Sequence, residues 1–160
     1  MSETTSLPLV LFVDDVDDIR AMVEHGMKVY QPAFRTVFAE TADEALNIIA
    51  SQPVAAAILD VNLLGESGAT VAAVLHEHYP HIVKAFLTAY DRSVTHENAE
   101  EFGMEVLTKP ITMPQLISSI YCLLSHRKTD CNELKSSNGF SKSPVSMPEV
   151  LRKITSSVFF

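Results

Sequence analysis

Five polar residues each stand at or just past the carboxyl end of a short apolar run. Asp14 and Asp15 follow Leu9–Val13, Asp60 follows Val54–Leu59, Thr88 follows Ile82–Leu87, and Lys109 follows Met104–Thr108. Three carboxylates gathered in one small site repel one another, so they either raise each other's pKa or collect a cation. A donor set of oxygens, with no clustered His or Cys, selects a hard ion such as Mg2+. A carboxylate beside such an ion and an ammonium can act as a nucleophile toward phosphorus and form an aspartyl phosphate. The positive groups offset charge on the transferring phosphoryl oxygens, and a hydroxyl can hydrogen-bond one of them. The residue types therefore suit phosphoryl chemistry, provided that a fold joins Asp14 to Lys109, 95 positions away.

The elements that could do so alternate along the first 125 residues. Strands are expected at Leu9–Val13, Phe34–Ala39, Val54–Leu59, Ile82–Leu87 and Met104–Thr108. Continuous apolar runs of this length suit strands buried on both faces. The third is alanine-rich, but its length and its bounding Pro53 and Asp60 decide for strand. Helical spacing marks Asp17–Lys28 and Ser67–His78, and more weakly Arg92–Phe102. Thr41 with Glu44 reads as a capping box, and Thr112 with Pro114 opens a last helix. Five successive β-α units imply a parallel sheet with helices on both faces, and right-handed crossovers leave few topologies. The expected fold is α/β: a flavodoxin-like, doubly wound, five-stranded parallel sheet of order 2-1-3-4-5. Its carboxyl ends share one edge, where ligands bind at the switch point between the first and third strands. Glu40 closes the second strand, at the sheet edge, and is expected to stay outside the site.

Composition bounds the rest. The 160 residues are 47% apolar and 20% charged, which suits one domain with a tail. Residues 1–125 hold 6 Lys/Arg against 17 Asp/Glu, a balance of −11, whereas residues 126–160 hold 6 against 3, a balance of +3. An acidic body argues against direct nucleic-acid binding. The boundaries read as a domain at 7–126, a flexible linker at 127–146, and 147–160 as either an amphipathic helix or a disordered tail. Two cysteines fit a reducing compartment, and Cys122 is expected in the core on the apolar side of the last helix. No apolar run is long enough to span a membrane, and the amino terminus lacks a basic leader, so a cytoplasmic location is expected.

The pieces LVLFVDD (9–15), AAILDVNLLGESG (56–68), AFLTAY (85–90) and LTKP (107–110) together resemble the receiver domain of two-component response regulators, of the single-domain type. The resemblance covers about Leu9 to Ser125. It implies that Asp60 accepts a phosphoryl group from a histidine kinase or phosphotransfer protein. Asp15 would bind Mg2+ directly, Asp14 largely through water, and Asn62 through its backbone carbonyl. Thr88 would contact the phosphoryl group and move on activation, and Lys109 would pair with the phosphate and the Asp60 carboxylate. The Lys109–Pro110 bond would be cis, and the small Ala89 would leave the site open to a donor. Output would be a protein contact, since no effector domain is visible after residue 126. The downstream target stays unnamed, and a monomer or a dimer is compatible with the sequence.

Three positions depart from the family pattern. Val106 stands where an aromatic switch residue is common. Leu64 stands where a proline is common. Tyr90 lies at a position that tunes access of hydrolytic water. Two other functions remain open on the residues: an aspartyl-phosphate phosphatase of the haloacid-dehalogenase type, which would use Asp15-x-Asp17, and a receiver-type adaptor that works unphosphorylated.

Overall fold

A computed structural model describes residues 6–63, 66–89 and 99–129. In chain order the elements are β1 (Leu9–Val13), α1 (Asp17–Tyr30), β2 (Arg35–Ala39), α2 (Ala42–Ser51), β3 (Val54–Leu59), β4 (Asn62–Leu63), β5 (Glu66–Ser67), α3 (Gly68–His78), β6 (Val83–Thr88), β7 (Glu105–Thr108) and α4 (Met113–Thr129). The main sheet is parallel and runs β2-β1-β3-β6-β7. Counted by its own five strands, that is the expected order 2-1-3-4-5. The addition is a separate antiparallel ribbon, β4 with β5, just after β3.

Side chains alternate across a strand, so each apolar run feeds two cores. From β1, Leu9, Leu11 and Val13 join Ala57, Leu59 and Phe86 beneath Ala45 and Ile49 of α2 and Val71 and Leu75 of α3. Val10 and Phe12 join Ala56, Ile58, Ala85 and Leu87 against Val23 of α1 and Leu116, Ile117 and Ile120 of α4. The central β3 carries Ala55, Ala56 and Ala57, all buried. Small side chains there let both helical layers approach the sheet. The edge strand β2 is less covered.

The helix starts follow the caps read from sequence. Thr41 accepts a hydrogen bond from the Glu44 N–H at 3.2 Å, and the Glu44 carboxylate accepts one from the Glu40 N–H at 2.9 Å. At α4, Thr112 and Gln115 exchange bonds, with the Thr112 N–H donating to Gln115 Oε1 at 3.0 Å.

Several boundaries move. Helix α1 runs two residues further than expected, β2, β6 and β7 each start one residue later, and β6 ends on Thr88 itself. Of the expected helix at Arg92–Phe102, residues 99–101 are helical and the earlier part lies outside the described residues. Helix α4 continues through Thr129, so the first three residues of the expected linker are helical. The expectations for the rest of 127–146 and for 147–160 lie outside the described residues. Cys122 is corrected: it is exposed, not core. At about 3.6 residues per turn it falls on the side of α4 opposite Leu116, Ile120 and Leu123.

Candidate functional site

The register of the sheet decides which residues meet. Val13 pairs with Leu59, Leu59 with Phe86, and Thr88 with Thr108. All four strands therefore leave the sheet along one edge. Backbone bonds continue the pairing past the strand ends. The Asp60 N–H donates to the Val13 carbonyl at 2.8 Å, the Asp14 N–H to Ala39 at 3.1 Å, and the Lys109 N–H to Thr88 at 2.8 Å.

Lys109 then bridges two carboxylates. Its Nζ lies 2.8 Å from Asp14 Oδ2 and 3.1 Å from Asp60 Oδ2. The three side chains are only 17%, 8% and 7% exposed, in the order Lys109, Asp14, Asp60, so water screens these contacts poorly. The other oxygens are held as well. Asp60 Oδ1 accepts from the Asn62 N–H at 3.0 Å, and Asp14 Oδ1 accepts from the Val16 N–H at 2.8 Å. Both carboxylates are thus fixed at both oxygens. Burial pushes the Asp60 carboxyl above the usual aspartate value, against the Asn62 and Lys109 contacts, and the charge of Asp14 adds to the rise. Burial alone would lower Lys109, but its bonds to Asp14 and Asp60 and their charges hold its ammonium above the usual lysine value.

Asp14, Asp15 and Asp60 each offer a carboxylate oxygen, and these atoms lie within 4.8 Å of one another. Among the described residues one ammonium faces three carboxylates, a formal excess of two negative charges. Hard oxygen donors with that excess fit a divalent ion such as Mg2+. Thr88 closes β6 and is 3% exposed, while Ala89 beside it is exposed. Asn62 opens β4 and is exposed. The Lys109–Pro110 bond is cis, as the resemblance implied. Val106 is half-buried against the core on the α2 and α3 side. Tyr90 and Leu64 lie outside the described residues. Glu40 stays out of the cluster, exposed and 3.6 Å from Arg20. Asp17, which a dehalogenase-type D-x-D pair would need, is exposed in the first turn of α1.

Sequence reasoning missed Gly68. It opens α3, and its N–H donates to the Val61 carbonyl at 3.1 Å. A Cβ built there would land on the Asp60 carbonyl oxygen. The close approach of α3 to the backbone of Asp60 therefore needs a residue without a side chain. The only signal was a glycine eight positions after Asp60, at what read as an ordinary helix start.

The sequence and the parallel α/β fold are similar to those of known proteins. A family model described as the response regulator receiver domain matches residues 10–121. A putative response regulator, NtrX-like, of Rickettsia bellii is 31% identical over 143 residues, which are 88% of this chain and 28% of that protein. The chain thus spans little more than a quarter of that relative's length. The signal receiver domain of an HD domain-containing protein from Pseudomonas fluorescens superposes with a TM-score of 0.73 at 24% identity, covering 84% of this chain and 98% of that one. The response regulator TrrA of Thermotoga maritima, solved in complex with Mg2+ and BeF, gives a TM-score of 0.64 at 24% identity, covering 73% and 99%. The chain belongs to the response regulator receiver domain family of two-component signalling. Among the described residues no helix is long and apolar enough to cross a membrane.

Proposed function

We propose that this chain is a phosphorylation-dependent signalling module, with Asp60 as its phosphoacceptor. The observation that carries the reading is the bridge from Lys109 to both Asp14 and Asp60 beside the third carboxylate of Asp15. In the forward step an Asp60 oxygen attacks phosphorus, the donor's bond to phosphorus breaks, and the donor leaves with the electron pair. The donor is a phosphohistidine of a histidine kinase or phosphotransfer protein, in the cytoplasm. Lys109 pairs with the phosphoryl oxygens as charge builds on them, and the Thr88 hydroxyl hydrogen-bonds one of them. The exposed Ala89 leaves the donor an approach.

Asp14, Asp15, Asp60 and the Asn62 carbonyl would hold Mg2+, which supplies positive charge to the phosphoryl oxygens when bound. Phosphorylation biases the face near β7 and the helix expected at Arg92–Phe102, a population shift that a partner protein reads. With Val106 in place of an aromatic, Tyr90 is the candidate for the switch or for tuning hydrolysis. Turnover is confined to the domain's own phosphorylation and dephosphorylation. The domain is assigned to 7–126, with 127–160 as an appendage outside the phosphoryl chemistry.

The test is incubation with acetyl phosphate and Mg2+, read by intact mass. Wild type should gain one phosphoryl group, and the gain should vanish with EDTA or in Asp60→Asn. An equal gain in Asp60→Asn would remove Asp60 from its role.

A further inference from the structure

At the opposite edge of the sheet one charged side chain has no part in this chemistry. Lys84 is the second residue of β6 and is half-buried. No hydrogen bond or ion pair joins it to another group among the described residues. It pairs in register with Ala57, and, by the alternation of the strand, shares a face with Phe86, a core residue. The pattern of the sheet asks for an apolar side chain there. Burial instead holds an ammonium below the usual lysine value with no anion to offset it.

Lys84 lines a cavity of about 590 Å³ at the amino ends of β6 and β7. That volume falls within the roughly 300–1,000 Å³ of small-molecule sites. Ile82, Val83, Phe102, Met104 and Leu123 give it apolar walls, and His76 and His126 bring two imidazoles from the late turns of α3 and α4. Among the described residues the one acid in the lining is Glu105; like His76 and His126 it is exposed, so solvent screens its charge. An apolar cleft with an unpaired cation and two further donors is built to orient an amphipathic anion.

We propose that this cavity binds a small organic acid. Its anionic head pairs with Lys84, assisted by His76 and His126, and its apolar body lies against Phe102, Met104 and Leu123. A carboxylate and a phosphate monoester share the chemistry this requires. The site is separate from the phosphoryl cluster, so its occupancy does not depend on the function proposed above.

The experiment titrates the full chain with 1-naphthoate, 1-naphthyl phosphate and the neutral 1-naphthamide, following backbone amide shifts by NMR. An acid should give saturable shifts at Val83, Lys84, Met104 and Glu105, and the better of the two acids names the head group. A charge-assisted contact corresponds to about 10- to 100-fold in affinity, so the amide should bind at least about tenfold more weakly. Lys84→Met should lose the same factor, and Lys84→Arg should recover binding to within several-fold. Both variants should keep wild-type melting cooperativity and phosphorylation by acetyl phosphate. Shifts confined to Asp60 and Lys109, equal binding of the amide, unaltered binding by Lys84→Met, or no saturable shift with either acid at millimolar concentration would each overturn the proposal.

Discussion

Replacing Asp60 by asparagine should make the metal-free chain more stable, although it removes the proposed phosphoacceptor. One carboxylate oxygen from each of Asp14, Asp15 and Asp60 lies within 4.8 Å of the other two. At that separation and an effective dielectric of about 20, two like charges repel by about 3.5 kcal/mol. Asp60 feels this from Asp14 and is attracted by Lys109 at 3.1 Å, worth about 5 kcal/mol on the same scale. These pair interactions largely offset one another, and burial, the largest cause of the raised Asp60 value, leaves the carboxylate held at a net cost. Asparagine keeps the shape and an oxygen able to accept from the Asn62 N–H. Asp60→Asn should therefore gain about 1–3 kcal/mol in EDTA at neutral pH, or roughly 4–12 °C in Tm for a domain of this size.

The sign with pH follows from the raised Asp60 value. The folded state then holds its proton more tightly than the unfolded chain, so the penalty is absent below the ordinary aspartate value near 3.9. It develops as pH rises toward the folded value and is complete above it. The gap between variant and wild type should open across that window. Adding Mg2+ should stabilise wild type more than the variant and narrow the gap. Urea and thermal unfolding read all three effects. If Asp60→Asn is the less stable protein by 1 kcal/mol or more in EDTA, the Asp60 carboxylate is not held at a net cost and the reasoning fails.

Lys109→Met leaves the Asp14 and Asp60 carboxylates facing each other without a counter-charge. It should cost about 3–5 kcal/mol in urea unfolding and abolish phosphorylation; a loss under 1 kcal/mol would contradict the sheltered bridge. Gly68→Ala should cost about 1–3 kcal/mol and slow phosphoryl transfer more than tenfold, because its Cβ forces the Asp60 backbone to move. Wild-type kinetics in that variant would show that α3 can yield without disturbing the site. Lys84→Met should raise stability at neutral pH. Because the folded Lys84 value is lowered, the unfolded chain binds the extra proton, so wild type catches up as pH climbs from the folded value toward about 10.4. A gap that stays constant through pH 10 would show that Lys84 is not held in its charged form at a cost.

The sheet was legible because burial on both faces writes itself as unbroken apolar runs. Leu9–Val13 and Val54–Leu59 end where expected, and the polar residues closing them are the ones that the register gathers. What stayed hidden is tertiary or too short to leave a period. The ribbon of Asn62–Leu63 with Glu66–Ser67 has two residues per strand, fewer than any alternation needs. The last turn of α1 carries Val29, which is 58% exposed, beside Tyr30, which packs against the core, so an exposed apolar residue masks the end of the helical pattern. Lys84 was absorbed into an apolar run, although period-two alternation sets it on the same face as Phe86. Cys122 was placed on the apolar side of its helix, but it is exposed and faces away from Leu116, Ile120 and Leu123. Gly68 matters through a contact with the Asp60 carbonyl, which no local spacing predicts.

The central claim is that Asp60 itself receives phosphorus. Borohydride reduction of the acetyl phosphate–treated protein converts an aspartyl phosphate into homoserine, and peptide mass mapping then locates it. The account predicts homoserine at position 60 alone, dependent on Mg2+. Homoserine at Asp14 or Asp15, or none under conditions that phosphorylate another receiver domain, would contradict it.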